Sequence, residues 1–216
     1  MSKLMGDPSL SNVPRSARES VGPDSFRLPL QFVLRNGREC VLRAVTEDDA
    51  REILTVLPQT HAESDFLNYL PGEFQLTLEQ EREYIREHGS QPRSLLMCAD
   101  LSGRIIAMTG AVQQKFRRCA HHAEFGITIR KEFWGVGLGR KLTECVVAWA
   151  GAAGLHKLYL RVFADNHRAI GLYRSLGFVE EGHLRADVLR ADGRYGDTLI
   201  MAKYFDATDL RAGPEL

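Results

Sequence analysis

The spacing of apolar positions changes several times along this chain, and each change predicts an element. In FVLRNGRECVLRAV, two runs rich in Val and Leu flank Asn36-Gly37. That pattern predicts a β-hairpin closed by a type I′ turn, which needs two left-handed residues. Thr46 followed by EDDAREILTVL predicts a capped helix, with acids in its first turn and an apolar face of Ala50, Ile53, Leu54 and Leu57. Thr77 and Gln80 form a second capping-box pattern, opening the charged helix LEQEREYIREH. SLLMCAD, a turn at LSGR and IIAMTGAVQQ predict two antiparallel strands, and HAEFGITIR a further one.

Helical spacing returns at Leu138, Leu142, Cys145, Val146 and Trp149 and stops near Gly154. LYLRVF is a short strand, and NHRAIGLYRSLGF a short helix ended by Gly177. Strands over 178–190 and 195–204 meet at Asp192-Gly193, another favoured hairpin turn. The order predicts an α+β fold with one mixed, mostly antiparallel sheet. A strand–helix–strand unit over 122–163 supplies a parallel pair, because a helical crossover links its strands. Residues 1–26 are rich in Ser, Pro and Arg and show no hydrophobic period, so a disordered or loosely packed leader is expected there. A single domain over 27–206 and a short tail over 207–216 complete the expected organisation, with ordered structure beginning at FVLRNG.

Composition narrows the class. The chain has 216 residues, 44% apolar and 26% charged, which is ordinary for a globular protein of one domain. Lys plus Arg and Asp plus Glu balance at 28 each, so no overall basic field recruits nucleic acid or an anionic membrane. No run approaches the roughly 20 apolar residues of a membrane span, and the N-terminus lacks the apolar run of a secretory signal. Cys40, Cys98, Cys119 and Cys145 are too scattered for a zinc site or disulfide framework. They are expected in or near the core, in a reducing cytoplasm. His121-His122 suggests metal binding, but neighbours on a strand point to opposite faces, so no metal is expected.

The densest chemistry is FWGVGLGRKLTE, where Gly135, Gly137 and Gly139 lead directly into a helix. Glycines permit unusual dihedrals and close backbone approach. The unpaired N–H groups of the first helical turn, with the helix dipole, attract phosphate, and Arg140 adds a charge. A tight turn that merely packs helix on strand would also explain the glycines. A Walker P-loop needs G-x-x-x-x-G-K-[ST], and a Rossmann fingerprint needs G-x-G-x-x-G at a first strand. The loop is neither.

Trp134-Gly135-Val136-Gly137-Leu138-Gly139 resembles the Q/R-x-x-G-x-G/A pyrophosphate loop of the GNAT superfamily of acetyl-CoA-dependent N-acetyltransferases, with Trp134 where Gln or Arg is usual. Further on, Asn166, Ala169, Leu172, Tyr173, Leu176, Gly177 and Phe178 are similar to a second family segment, N-x-x-A-x-x-L-Y-x-x-x-G-F. The resemblance covers roughly 39–205, and the closing hairpin is similar to that of amino-acid and small-amine N-acyltransferases. It implies an α/β/α layering in which the strand holding Ile127 and Ile129 splays from LYLRVF. The gap would let the main chain of Ile127 and Ile129 bond the pantetheine arm like an extra strand. Gly135, Val136, Gly137, Leu138, Gly139 and Arg140 would take the pyrophosphate. Asn166 would touch the cofactor or cap its helix.

Acyl transfer to an amine needs an acid for the departing thiolate and a way for the amine to lose a proton. The resemblance makes Tyr173 the acid, since a phenol stays protonated at neutral pH. Tyr173 also belongs to an apolar stripe with Ala169, Leu172 and Leu176, which a core role alone would explain. For the base, alternation along HAEFGITI puts Glu124, Gly126 and Thr128 on one face, opposite Phe125, Ile127 and Ile129. Glu124 is then either a proton relay or a solvated or ion-paired edge residue, and an amine captured neutral from solution would need no dedicated base. In HAESDFLNYLPGEF, where the family shapes its acceptor pocket, Glu63, Asp65 and Glu73 would meet a cationic amine, with Phe66 and Tyr69 as walls, or form a solvated loop.

The sequence thus predicts an N-acetyltransferase that moves acetyl from acetyl-CoA to an amino acid, polyamine or amine antibiotic. A protein acetyltransferase and a non-catalytic acyl-CoA-binding module are the alternatives. The oligomeric state stays open, a homodimer being the commonest assembly.

Overall fold

The computed structural model describes residues 26–70, 72–90 and 94–205. The leader, except Phe26, and the tail expected at the two ends lie outside these residues. Eight strands form one sheet: β1 Leu30–Val33, β2 Glu39–Ala44, β3 Ser94–Leu101, β4 Arg104–Gln113, β5 His122–Ile129, β6 Lys157–Phe163, β7 Val179–Leu189 and β8 Tyr195–Tyr204. Their order in space is β1-β2-β3-β4-β5-β6-β8-β7. Four α-helices accompany them: α1 Ala50–Ala62, α2 Leu78–Ser90, α3 Leu138–Ala152 and α4 His167–Ser175. All strand pairs are antiparallel except β5 with β6.

The sheet buries a core on each face. On one face, α3 lays Leu138, Leu142, Cys145, Val146 and Trp149 against Leu158, Leu160 and Val162 of β6, and Ile170 of α4 joins them. On the other, Ala50, Ile53 and Val56 of α1 and Ile85 of α2 pack on Cys98, Ile105 and Met108. The α/β/α layering is therefore the one expected, though the face of α1 is rotated slightly. Val56 and Thr60 are buried where Leu54 and Leu57 were expected, and these two leucines stay half-exposed. Phe26, Leu28 and Leu30, ahead of the FVLRNG run, also pack on the α3-side core.

Both glycine hairpins differ from the expected turn in the same way. Gly37 N–H donates to Leu34 O and Leu34 N–H to Arg38 O. In the second hairpin, Gly193 N–H donates to Arg190 O and Arg190 N–H to Arg194 O. Only the glycines, at φ +81° and +80°, are left-handed; Asn36 and Asp192 are not. These are three-residue loops ended by a left-handed glycine rather than two-residue type I′ turns. Asn36 Oδ1 and Asp192 Oδ1 instead accept the N–H two residues on, an Asx-type closure that suits a right-handed position.

The helix starts follow the sequence closely. The Thr77 N–H donates to Gln80 Oε1 and the Gln80 N–H to Thr77 Oγ1 at 2.8 and 3.2 Å, completing the capping box. Thr46 leads into a short 3-10 turn, Glu47–Asp49, whose Asp49 carboxylate accepts from the Thr46 N–H and hydroxyl. Asp49 also takes two hydrogen bonds from the Arg43 guanidinium at 2.8 Å, while Arg43 Nε donates to Asp100. One arginine thus ties β2, β3 and the start of α1 together. No helix among the described residues is long and apolar enough to cross a membrane.

Candidate active site

The parallel register runs only from His122 opposite Lys157 to Glu124 opposite Tyr159. Beyond Glu124 the two strands diverge, so the expected splay is present. Which backbone groups it exposes follows from the β4 side. Arg130 N–H donates to Ile106 O and Gln114 N–H to His122 O. In an antiparallel ladder such bonds alternate, so the even residues of β5 face β4. The backbone groups of the odd residues, Ile127 and Ile129 among them, are left facing the gap. One of these is already taken: Trp134 Nε1–H donates to Ile129 O at 2.9 Å.

The glycine loop lies where β5 ends. A 3-10 turn, Lys131–Phe133, leads to Gly135 and Gly137, at φ +83° and +91°. Gly137 is the N-cap of α3 and supplies no side chain to the first turn. The first intrahelical bond runs from Lys141 N–H to Gly137 O, so the N–H groups of Leu138, Gly139 and Arg140 have no helical partner. Gly139 lies against Ile129 and Leu172: a Cβ there would meet their methyl carbons at 3.4 and 3.6 Å. Gly139 thus packs helix on strand, while Gly135 and Gly137 bend the loop.

Sequence reasoning missed two arginines beside this loop. Arg35, from the first hairpin, runs along Gly137 and donates its N–H to Val136 O at 3.0 Å. Arg168 of α4 reaches over the Trp134 ring, 5.9 Å from its centroid, and lies next to Gly135. Both side chains are exposed and form no ion pair with another described residue. Arg140, the expected charge, is partly engaged elsewhere, donating to Ser175 Oγ at 2.7 Å and lying 3.9 Å from Glu144. Asn166 Oδ1 accepts from Ala169 N–H, so it caps α4.

Tyr173 packs edge-on against Phe125 and Phe178, with ring centroids 6.0 and 5.9 Å away. Burial pushes its phenol up to about 12, and its Oη has no hydrogen-bond partner among the described residues. Glu124 points to the opposite face, as the alternation predicts, and is not a bare edge residue. Its Oε2 accepts from Tyr159 Oη at 3.0 Å, and Tyr159 Oη accepts from Gln114 Nε2 at 2.8 Å. Burial, the Glu124 charge and this hydrogen bond push Tyr159 up to about 12, so it stays a donor to the carboxylate. Next on that face, Gly126 is exposed, and a Cβ there would meet nothing within 4 Å. Tyr159 could have been found by applying the same alternation to LYLRVF.

On that same face a cavity of about 560 Å³ lies between the segment after α1, the end of β6 and the β7–β8 hairpin. Asp65, Phe66 and Tyr69 line it as expected, with Arg161, Phe163 and Asp187. Glu63 and Glu73 do not line it. The Glu63 carboxylate accepts from Lys131 N–H and from Gln59 Nε2, tying α1 to the turn before the glycine loop. Glu73 Oε2 accepts from Leu70 N–H within its own loop. Each acid accepts from a backbone N–H, Glu73 from its own loop and Glu63 from a distant segment that local sequence does not reveal. The histidines also depart from expectation. His121 precedes β5 rather than lying in it, and its ring meets that of His122 edge-on at 4.9 Å. No cluster of three or more His, Cys, Asp or Glu among the described residues is arranged to hold a metal ion.

A splayed parallel pair, with a glycine loop at the start of the crossover helix, is the layout that the GNAT resemblance implies. The acetyltransferase (GNAT) family model matches residues 60–178, more than half of the chain, and the chain belongs to that family. It is 37% identical over 92 residues to the spermidine N(1)-acetyltransferase of Vibrio cholerae, a match covering 40% of this chain and 53% of that protein. The chain thus spans about half the length of that curated relative. The crystal structure of a GNAT-family acetyltransferase from Streptococcus pneumoniae aligns with a TM-score of 0.74 at 28% identity, over 77% of this chain and 99% of that one. A Salmonella typhimurium structure solved with its cofactor acetyl-CoA shares the fold, with a TM-score of 0.70 at 17% identity, over 82% of this chain and 98% of that one.

Proposed function

We propose that the protein is an N-acetyltransferase that transfers the acetyl group of acetyl-CoA to the primary amine of a small molecule. The observation that carries this reading is the loss of β5–β6 pairing after Glu124, with the glycine loop at its end. Ile127 and the N–H of Ile129 are available to the amide-bearing arm. The free N–H groups of Leu138, Gly139 and Arg140 suit the pyrophosphate, with Arg35 and Arg168 adding charge. The acetyl-CoA with which the Salmonella neighbour was solved and the small polyamine in the name of the Vibrio relative support both halves of the reading.

The chain's own groups then divide the proton work. Acetyl-CoA supplies the acetyl carbon as a thioester. The amine approaches over Gly126, from the face of Glu124, and its nitrogen bonds to that carbon as the C–S bond breaks. Glu124, held in place by Tyr159, takes the proton the nitrogen sheds, directly or through water. Tyr173, protonated and with its hydroxyl unengaged, gives a proton to the departing sulfur from the other face. A protein substrate needs an open groove, and the cavity is instead walled by a loop, a strand and a hairpin, which favours a small acceptor.

The test is thiol release from acetyl-CoA with amino acids, polyamines, aminoglycosides and short peptides, for the wild type and E124Q. Release with a small amine, slowed at least about tenfold in kcat by E124Q, is the expected result. Folded protein that binds acetyl-CoA yet stays silent with every amine overturns the reading.

A further inference from the structure

The charges around the acceptor cavity do not all cancel internally. Arg190 pairs with Asp165 at 2.7 Å and Arg194 with Asp192 at 2.6 Å. Arg161, Asp65 and Asp187 line the same cavity and make no hydrogen bond or ion pair with another described residue. Asp65 feels the Arg190 charge without pairing with it, so the cavity holds one guanidinium, Arg161, and two carboxylates, Asp65 and Asp187, outside any ion pair. A polycation would find use for the carboxylates only, and a simple anion for the guanidinium only.

The position of Arg161 decides between these. It lies two residues beyond Tyr159 on β6, on the same face, since Leu158, Leu160 and Val162 all enter the opposite core. On one side its strand neighbour is Ile200 of β8. On the other side the β5 register has already ended, so the neighbour is the gap itself, at the level of Gly126. Arg161 thus lines the cavity from the strand position that borders the gap. Arginine is the side chain best suited to hold a carboxylate through two parallel hydrogen bonds.

We infer that the acceptor is an α-amino acid or a close zwitterionic analogue, whose carboxylate is held by Arg161 while its α-amine enters the gap over Gly126. The inference rests on the acetyltransferase reading above and sharpens it. Asp65 and Asp187, which line the same cavity, are left to meet the acceptor's side chain. A polyamine lacks the anion and would bring its cationic nitrogen against Arg161.

Matched pairs of L-amino acids and their primary amides, with spermidine, test this by kcat/KM at saturating acetyl-CoA. The α-amine of the amide is the less basic, so more of it is unprotonated and able to attack at neutral pH, and a preference for the acid reports recognition. The expected acid-over-amide ratio is at least about tenfold, as for a hydrogen bond to a charged group. In R161Q it falls to near parity, and in R161K it recovers in part. Arg161 is exposed, so an unchanged melting temperature is expected and is measured alongside. Amides or spermidine used as well as the acids, or a ratio that survives R161Q, overturn the inference and leave the acetyltransferase reading standing. Silence with every amine removes both.

Discussion

Trp134 donates its indole N–H to the carbonyl of Ile129 at 2.9 Å, so the first residue of the glycine loop is bonded to the last residue of the strand whose edge is open. The bond fixes how the loop leaves β5, and Arg168 rests over the same ring. A Trp134→Phe change keeps an aromatic platform and removes the donor. The KM for acetyl-CoA is expected to rise about 3- to 10-fold, the range of one ordinary hydrogen bond, with kcat little changed. Steady-state kinetics at saturating amine check it.

Tyr173→Phe isolates the phenol. The ring contacts with Phe125 and Phe178 survive, and the hydroxyl makes no hydrogen bond to another described residue, so stability should hold. We expect kcat to fall about 100-fold, within the range of a lost general acid, with acetyl-CoA affinity retained. Unaltered turnover would make the protein's tyrosine a core residue only. With its phenol at about 12, the wild type should also show no loss of rate from Tyr173 ionisation up to about pH 10.

Gly137→Ala probes the loop's backbone. At φ +91° any side chain is strained, and the new methyl would meet Arg35 at 3.5 Å. Left-handed strain of about 1–2 kcal/mol is expected to appear as lost stability, together with weaker acetyl-CoA binding. Thermal melting with and without the cofactor separates the two effects.

Acid should act through Asp49. Its burial alone would raise its pKa, but hydrogen bonds from Arg43 and Thr46 outweigh this and hold the carboxyl below its ordinary 3.8. A depressed folded pKa contributes stability that is present above the unfolded value and lost as pH falls through the folded one. The protein should therefore lose this contribution below about pH 4. In Asp49→Asn the loss should already be present at neutral pH, about 1–3 kcal/mol for a charge-assisted pair, and its stability should depend less on pH between about 5 and 3. Denaturant melts across that range would show it.

The sequence by itself determined the eight strands and four α-helices of the described residues, because each depends on spacing within one short segment. The capping box at Thr77 and Gln80, the apolar seam of α3 and the glycine loop are all local patterns of this kind. Alternation even put Glu124 on the correct face of its strand. Tertiary structure decided what each polar group was left free to do. Glu63 and Glu73 look like acceptor-binding acids in sequence, yet each is taken by a backbone N–H, one of them from Lys131, far along the chain. Arg35, Arg161 and Arg168 look like ordinary surface charges until folding brings them to the loop and the gap without partners. A side chain's chemistry depends on which donors and acceptors have already claimed it, and those lie in other segments of the chain.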